Sequence, residues 1–373
     1  MNATLPLYQR AEKRLYKLVR LGTQNGLSRL PTESDLANQL DMSVGTVRNA
    51  IKSLCDKKIV DRKQGKGTFL SKEVLDGRKT VALIWGLSDQ AALTSRWHGM
   101  LHSFLESHFL SKGWSTITYE LFHGNANLDL RAAERLKYDA ETMKFSVAVK
   151  IDLPQIGEAK IKEIDLQQFS IPIISITNRT IGDAVIMDYY ALGYEGVKYL
   201  CSKKGISSIA LINCKGTDGH TETECKQGFE NAVNKFSVES HENWRLSIDA
   251  SVEIARKTFK SLWQSEKRPA GLVVGDDVLF SGIVCGMIEL GIKYPDDIQL
   301  VSLGLKGVDN SLKYKPARLV FDPDYTAHIV CVNIIEMIEN HKSTMPSIKI
   351  VPYLEEHVFQ AESKINNQSL IVV

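Results

Sequence analysis

Residues 30–70 read LPTESDLANQLDMSVGTVRNAIKSLCDKKIVDRKQGKGTFL, and each part of this stretch carries its own structural signal. Thr32 precedes Glu33 and Asp35 in the S/T-x-x-D form of a capping box, which predicts a helix start, with Leu36, Ala37 and Leu40 as its inward face. Asp41 and Met42 make a turn, and Ser43 stands where it caps a second helix. In that helix Val47, Ala50, Ile51 and Leu54 recur at helical spacing and leave Val44, Gly45, Arg48, Asn49 and Lys52 on the opposite face. Residues 59–63 and 68–70 then read as two short strands joined by Gln64-Gly65-Lys66-Gly67, a glycine-tipped hairpin. Two helices followed by a ribbon predict a winged helix-turn-helix, whose second helix enters a DNA major groove.

Charge agrees with that expectation. Residues 1–80 hold 16 Lys or Arg against 8 Asp or Glu, whereas the whole chain holds 46 against 44, so the remainder is acidic. Phosphate neutralisation needs a basic head, because released counterions supply most of the sequence-independent affinity for DNA. The residues expected to meet DNA are Tyr8, Thr32, Ser43, Val44, Gly45, Thr46, Arg48, Asn49, Lys52, Arg62, Gln64, Gly65 and Lys66.

With Pro6-Leu7-Tyr8 and a helix carrying Ala11, Leu15 and Leu18, the first 72 residues resemble the GntR family of bacterial regulators. LPTESDLA, Thr46-Val47-Arg48 and RKQGKGTF occur in the order and spacing of that family. Ser34 and Val44 stand where many GntR relatives carry DNA-touching arginines, which implies a different base readout. A valine methyl packs on thymine, and Gly45 permits close backbone approach.

The remaining 300 or so residues are enough for one large or two medium domains, and 43% of the chain is hydrophobic. Strand-like and helix-like segments alternate from residue 80 onward, which predicts parallel α/β sheets. Strands are expected at residues 80–86, 115–122, 146–151 and 171–177, with helices around 97–105, 128–144 and 158–168. A second set is expected to begin at 184–188 and to continue through strands at 208–214, 271–277 and 299–304. Its helices fall at 191–203, 225–233, 252–263 and 278–290. No internal repeat stands out.

Residues 79–362 resemble the periplasmic-binding-protein-like effector domain of the LacI/GalR repressors. The resemblance rests on VVGDDVLFSGIVCGMIELGIKYPDDIQLVS (273–302), IPIISITNR (171–179) and FDPD (321–324). Cys225 and Leu303-Gly304-Leu305 depart from that family's pattern. A GntR-type head on a LacI-type body is the arrangement of arabinose-repressor-like regulators. The resemblance implies an α/β type I fold with a winged-helix head at 1–72, an exposed linker at 73–78 and a two-lobed effector and dimerisation domain at 79–373. The lobes would comprise about 79–178 with 323–342, and about 183–321 with 346–362.

Ligands of such folds sit beyond the carboxyl ends of parallel strands. The resemblance therefore implies a small polar ligand, a sugar or sugar derivative, between the lobes. Asp277 follows a strand and either accepts ligand hydroxyls or caps the next helix. Arg179 either binds ligand or forms a surface ion pair, with Asn178 beside it. Ser88 and Gln90 fall in the first strand-to-helix region. Trp97 either packs its helix or offers a platform to a sugar ring, and Asp322 either contacts ligand or serves as a hinge.

Other chemistries lack their signatures. There is no G-x-S-x-G, no GKS or GKT phosphate loop and no H-E-x-x-H, and Gly65-Lys66-Gly67-Thr68 belongs to the wing. The six cysteines are scattered without C-x-x-C, which predicts free thiols, no metal and no cofactor. An apolar leader and an 18-residue apolar run are both missing from the sequence, so a cytoplasmic protein is expected. The sequence thus predicts a ligand-controlled, homodimeric transcriptional regulator, more readily a repressor than an activator, and not an enzyme. The alternative is a winged-helix head fused to a catalytic domain acting on a small metabolite.

Overall fold

The computed structural model describes residues 7–85, 96–121, 126–151, 166–169, 171–178, 183–215, 220–308, 314–340, 342 and 344–355. The chain divides into two compact units, Met1–Met187 with Asp322–Ile350, and Asp188–Phe321 with the residues from Val351 on.

The first unit opens with helices α1 (Leu7–Gln24), α2 (Glu33–Leu40) and α3 (Val44–Asp56), the antiparallel ribbon β1 (Val60–Lys63) and β2 (Gly67–Leu70), and α4 (Lys72–Gly77). Ala11, Leu15 and Val19 of α1 meet Leu36 of α2 and Val47, Ile51 and Leu54 of α3 in one core. The strand pair is extended by the chain just before α2, since Leu30 N–H donates to Thr68 O and Leu70 N–H to Ser28 O, both at 2.9 Å.

After the head come β3 (Thr80–Trp85), α5 (Arg96–Ser111), β4 (Ser115–Glu120), α6 (Ala126–Glu141), β5 (Val147–Ile151), β6 (Ile173–Thr177) and β7 (Ala184–Met187). With β13 (Ile348–Ile350) these strands form a sheet in the order β13-β7-β6-β5-β3-β4, parallel throughout. The second unit holds α7 (Tyr189–Cys201), β8 (Ile209–Cys214), α8 (His220–Phe236), β9 (Arg245–Ile248), α9 (Val252–Trp263), β10 (Gly271–Val274), α10 (Asp277–Glu289), β11 (Gln299–Leu305) and β12 (Ala317–Phe321). The chain then returns to the first unit as α11 (Pro323–Glu339) and β13 before ending the described fold at β14 (Tyr353–Glu355) in the second. The second sheet runs β14-β12-β11-β10-β8-β9, with β14 alone antiparallel among its described strands.

Taken in chain order, the first five strands of each sheet are arranged 2-1-3-4-5. In this doubly wound order the strand sequence reverses direction at one point, and there the helices on either side splay apart to leave a crevice beyond the strand ends. That switch point lies between β3 and β5 in the first unit and between β8 and β10 in the second.

Three expectations are corrected. Residues 73–78 are not an exposed linker: Ser71 caps α4 by accepting from Val74 N–H at 3.3 Å, and Val74 and Gly77 are buried. Gly77 lies so close to the sheet unit that a Cβ there would stand 2.2 Å from Met143 O. Residues 184–187 close the first sheet rather than opening the second set, since Ser175 pairs with Ala184 and Thr177 with Ile186. Residues 348–350, expected in the second lobe, join them in the first sheet, paired Ile348 to Val185, and Asp183 anchors the approach by accepting from Met345 N–H at 2.7 Å. The apolar run of 184–187 suits any fully covered parallel strand, so hydrophobicity alone did not assign it to a sheet.

The head is docked on the first sheet unit by named polar contacts. Tyr16 Oη donates to Ala140 O and Arg20 Nη2 to Phe145 O, each at 2.9 Å, while Arg78 Nη2 donates to Leu27 O. Met143 completes the apolar core of the head.

Candidate functional sites

The candidate nucleic-acid face is built by caps. Thr32 Oγ1 accepts from Asp35 N–H at 3.2 Å while Asp35 Oδ2 accepts from Thr32 N–H at 3.3 Å, so both orphan donors at the α2 start are satisfied. Ser43 Oγ accepts from Thr46 N–H at 3.1 Å and starts α3. Asp41 closes α2 in the left-handed conformation, with φ of 53°, and so turns the chain between the helices. Val44, Gly45, Arg48, Asn49 and Lys52 are exposed on α3, and Thr46 is half-buried beside its cap. Arg62, Gln64, Gly65 and Lys66 are exposed on the wing, Gly65 and Gly67 having φ of 71° and 108°, and Tyr8 and Thr32 are exposed as well.

One residue outside the expected set organises this face. Glu33, in the first turn of α2, accepts from Arg48 Nε at 2.9 Å and also from Arg62 Nη2, so one carboxylate holds an arginine of the second helix and one of the wing. Arg29 joins them from the approach to α2, its guanidinium 5.6 Å from the Phe69 ring centre, with Lys63 Nζ 5.1 Å from the same centre. Both cations stand over Phe69 of β2, and neither was in the sequence-derived set.

The second unit presents a different surface at its switch point. Asn213 and Cys214 end β8, and Gly275, Asp276 and Asp277 follow β10. Asp276, not Asp277, caps α10: its Oδ1 accepts from Val278 N–H at 2.8 Å and from Leu279 N–H at 3.2 Å. Asp277 is the first residue of the helix, and its carboxylate has no hydrogen bond among the described residues. The reading of Asp277 as the cap is therefore wrong by one position, because an N-cap must be non-helical and Asp276, with φ −159° and ψ 146°, is the residue in extended backbone.

Burial, and then the neighbouring Asp277, raise the Asp276 carboxyl above its ordinary value. Burial likewise pushes the Cys214 thiol up to about 12, with Asp276, Asp249 and Glu222 adding to it in that order. Asn213 holds the loop together by accepting from Cys214 N–H at 2.9 Å and donating to Glu222 O at 3.3 Å. Gly275 is required beside it, since a Cβ would come within 2.1 Å of Asn213 Oδ1. Asn213, Cys214, Asp249 and Asp276 were absent from the sequence-derived set. Each does follow a strand or stands at its end, which is the signal that would have found them.

At the switch point of the first unit, Trp85 ends β3 and is nearly buried. His98 and His102 of α5 meet its ring edge-on at centroid distances of 6.0 and 5.4 Å, and His102 Nε2 lies 3.0 Å from Thr118 Oγ1. The indole Nε1 is buried without a hydrogen-bond partner among the described residues. Trp97 is half-buried on the same helix, and Asn178 is half-buried just after β6. Ser88, Gln90 and Arg179 lie outside the described residues. Asp322 is buried and caps α11, accepting from Asp324 N–H at 3.0 Å and Tyr325 N–H at 3.1 Å, at the point where the chain passes between units.

A broad surface concavity of about 760 Å³ beside His241, Trp244 and Lys267 lies at the amino-terminal ends of β9 and β10, the opposite end of the second sheet from Asn213, Asp276 and Asp277. No group of three or more His, Cys, Asp or Glu among the described residues is arranged to hold a metal ion. None of the described helices is long and apolar enough to cross a membrane.

Residues 156–342 match the family described as periplasmic binding proteins and sugar binding domain of LacI family, which is half of the chain. The chain belongs to this LacI family. Its head matches the family of bacterial regulatory proteins, gntR family, over residues 7–70, so a GntR-type helix-turn-helix precedes the LacI-family domain. Curated relatives include the HTH-type transcriptional repressor PurR of Klebsiella pneumoniae, 26% identical over 176 residues, which are 47% of this chain and 50% of that protein. PurR of Escherichia coli O1:K1 is 25% identical over the same extent. The chain thus spans about half the length of the curated relatives it matches.

Among solved structures, a transcriptional regulator of Yersinia pestis biovar Microtus superposes with a TM-score of 0.61 at 13% identity, over 75% of this chain and 97% of that one. The transcriptional regulator CelR in complex with cellobiose gives 0.59 at 14% identity, over 88% and 99%. CcpA of Lactococcus lactis gives 0.57 at 17%, over 74% and 97%. At these identities the likeness is one of fold.

Proposed function

We propose that this LacI-family chain is a sequence-specific DNA-binding transcriptional regulator, a repressor, controlled by a small polar ligand of the sugar or sugar-derivative class. The observation that carries the reading is a capped GntR-type helix-turn-helix with exposed Arg48 and Arg62, joined in one chain to a LacI-family domain. Curated relatives named transcriptional repressors and a neighbour bound to cellobiose support it. In this reading the arrangement is arabinose-repressor-like and the head spans about 1–72. α3 and the wing contact a double-stranded operator through Arg48, Asn49, Lys52, Arg62, Gln64 and Lys66, with Thr46 and Gly45 at the helix start. Two copies act together, because paired half-sites multiply a modest affinity per head.

Asp277 is assigned to the ligand. A carboxylate accepts several hydroxyl donors at once, and the capping duty that would occupy it falls on Asp276. Asp322 is assigned to the hinge, since its carboxylate is already engaged by two backbone amides where the chain changes unit. Trp97 and Asn178 remain flanking contacts in the first unit.

The decisive measurement is DNA affinity by fluorescence anisotropy on selected operator fragments. Arg48→Ala is expected to weaken binding by about 1–3 kcal/mol if it reads a base, or uniformly across sequences with a shallower salt dependence if it holds phosphate. Gly65→Glu places a negative side chain at a wing tip whose backbone is left-handed, and binding is expected to collapse. Unchanged affinity in both variants would sink the assignment of this face to DNA.

A further inference from the structure

The seam between the winged helix and the first sheet holds a cavity of about 200 Å³ at the amino-terminal ends of β3, β4 and β5, apart from both the DNA face and the carboxyl strand ends. It is lined from three directions. Arg20 and Thr23 come from α1, Arg78 and Lys79 from the end of α4 and the entry to β3, and Trp114 with the Glu339 end of α11 from the sheet unit. Three cations thus meet one carboxylate.

Neither arginine is neutralised. Arg20 is 3% exposed and donates to the carbonyl of Phe145, a neutral acceptor, with the Tyr16 hydroxyl its other polar neighbour. Arg78 donates to Leu27 O, yet its Nε is buried with no hydrogen-bond partner. Neither guanidinium has a carboxylate within ion-pair distance among the described residues. Arg20 is a buried charge and half-buried Arg78 carries an unmet donor, both costly, and an entering anion offsets those costs by supplying charge to the first and an acceptor to the second. Thr23 Oγ1 is spent on Arg20 O at 2.6 Å, so the charged donors are the arginines and Lys79.

We propose that this seam is a binding site for a small oxyanion, a phosphate- or carboxylate-bearing metabolite, held by Arg78 and Lys79 above the buried charge of Arg20. The volume falls below the roughly 300–1,000 Å³ of sites for drug-sized ligands, which restricts the occupant to a few heavy atoms around the anionic group. Because the site is walled by the head on one side and the sheet unit on the other, occupancy stabilises the docked head. Any ligand that prefers one head position changes DNA affinity, and DNA changes its affinity in return.

The experiment is calorimetric titration of the full chain with inorganic phosphate, and separately with malonate, at constant ionic strength made up with chloride. Saturable binding at one equivalent per chain is expected, and the two arms tell a phosphate occupant from a carboxylate one. Arg78→Met should weaken that binding at least tenfold and Lys79→Gln severalfold, whereas Arg48→Ala on the DNA face and Asp277→Ala should leave it unchanged. Lys79 is exposed, so Lys79→Gln keeps the test intact even if Arg78→Met fails to fold. Absence of saturable binding by either anion overturns the proposal. So does binding insensitive to Lys79→Gln, or binding lost in Arg48→Ala, which would place the anion on the DNA face.

Discussion

The two α/β units share one strand order and differ in what they put at the same place. Beyond β3 and β5 the first unit sets an indole, two imidazoles and one unsatisfied indole N–H. Beyond β8 and β10 the second sets an amide, a thiol and a group of carboxylates. Topology opens a crevice in both, because reversal of the winding direction separates the helices there whatever the side chains are. Local sequence then decides the chemistry, ring surface in one and hydroxyl-accepting oxygen in the other. Those are the two kinds of contact that a sugar ring uses.

The contrast is broken most severely at Gly275. Gly275→Val would drive a side chain into Asn213 and unseat the β8 end. We expect a loss of about 3 kcal/mol or more in denaturant unfolding, with no ligand response from the second unit. A variant as stable as the parent would mean that the crevice floor is not built as described.

Asp277→Ala isolates the chemistry from the architecture. With Asp276 as the cap, stability without ligand should change by less than about 0.5 kcal/mol, while affinity for a responding sugar found by thermal-shift screening should fall by roughly 1.5–3 kcal/mol. A variant that loses about 1 kcal/mol of stability and retains full affinity would return Asp277 to a capping role.

Trp85→Phe sharpens the other side. It keeps a ring against His98 and His102 while deleting the unpartnered N–H, so stability should hold or rise slightly, because a buried donor without an acceptor costs energy. If the indole N–H donates to the ligand, affinity should drop severalfold. Unaltered affinity would remove the indole N–H from the ligand's contacts.

The smallest effect is expected from Asp276→Asn, which retains an oxygen to cap α10. The folded-state carboxyl is raised, so its stabilising contribution is fully present below its unfolded value, near 3.8, and is lost as pH rises through the raised folded value. The variant should therefore match the parent in acid and gain slightly on it above that raised value, which thermal melts across pH 3–7 would show. A parent that instead loses ground to the variant as pH falls would reverse the sign of the desolvation argument.

How much was legible in the sequence depends on the range of the interaction. Thr32 with Asp35, Ser43 with Thr46, and Gly65 with Gly67 each act within a few residues, so the head and its outer face could be read directly. Parallel strands expected at 80–86, 146–151 and 208–214 announced themselves as covered apolar runs, and the position of Asp277 after a strand end singled it out. The exchange of roles between Asp276 and Asp277 could not be read, because two adjacent aspartates look alike until backbone dihedrals distinguish cap from first turn. Glu33 joining Arg48 to Arg62 likewise needed the ribbon brought beside α2.

By itself, then, the sequence determined the winged helix, the α/β class, the contrast of a basic head with an acidic remainder and the strand-end residues worth testing. These follow from capping, periodicity and charge, all local or additive properties. Only the tertiary structure decided that β7 and β13 close the first sheet, that both sheets share one winding order and that residues 72–77 are a packed helix. It alone placed Arg20 and Arg78 around a cavity at the head's seam. Each of these depends on which distant segment supplies the partner for a backbone edge, an apolar face or a buried charge, and identical local patterns are compatible with several such partners.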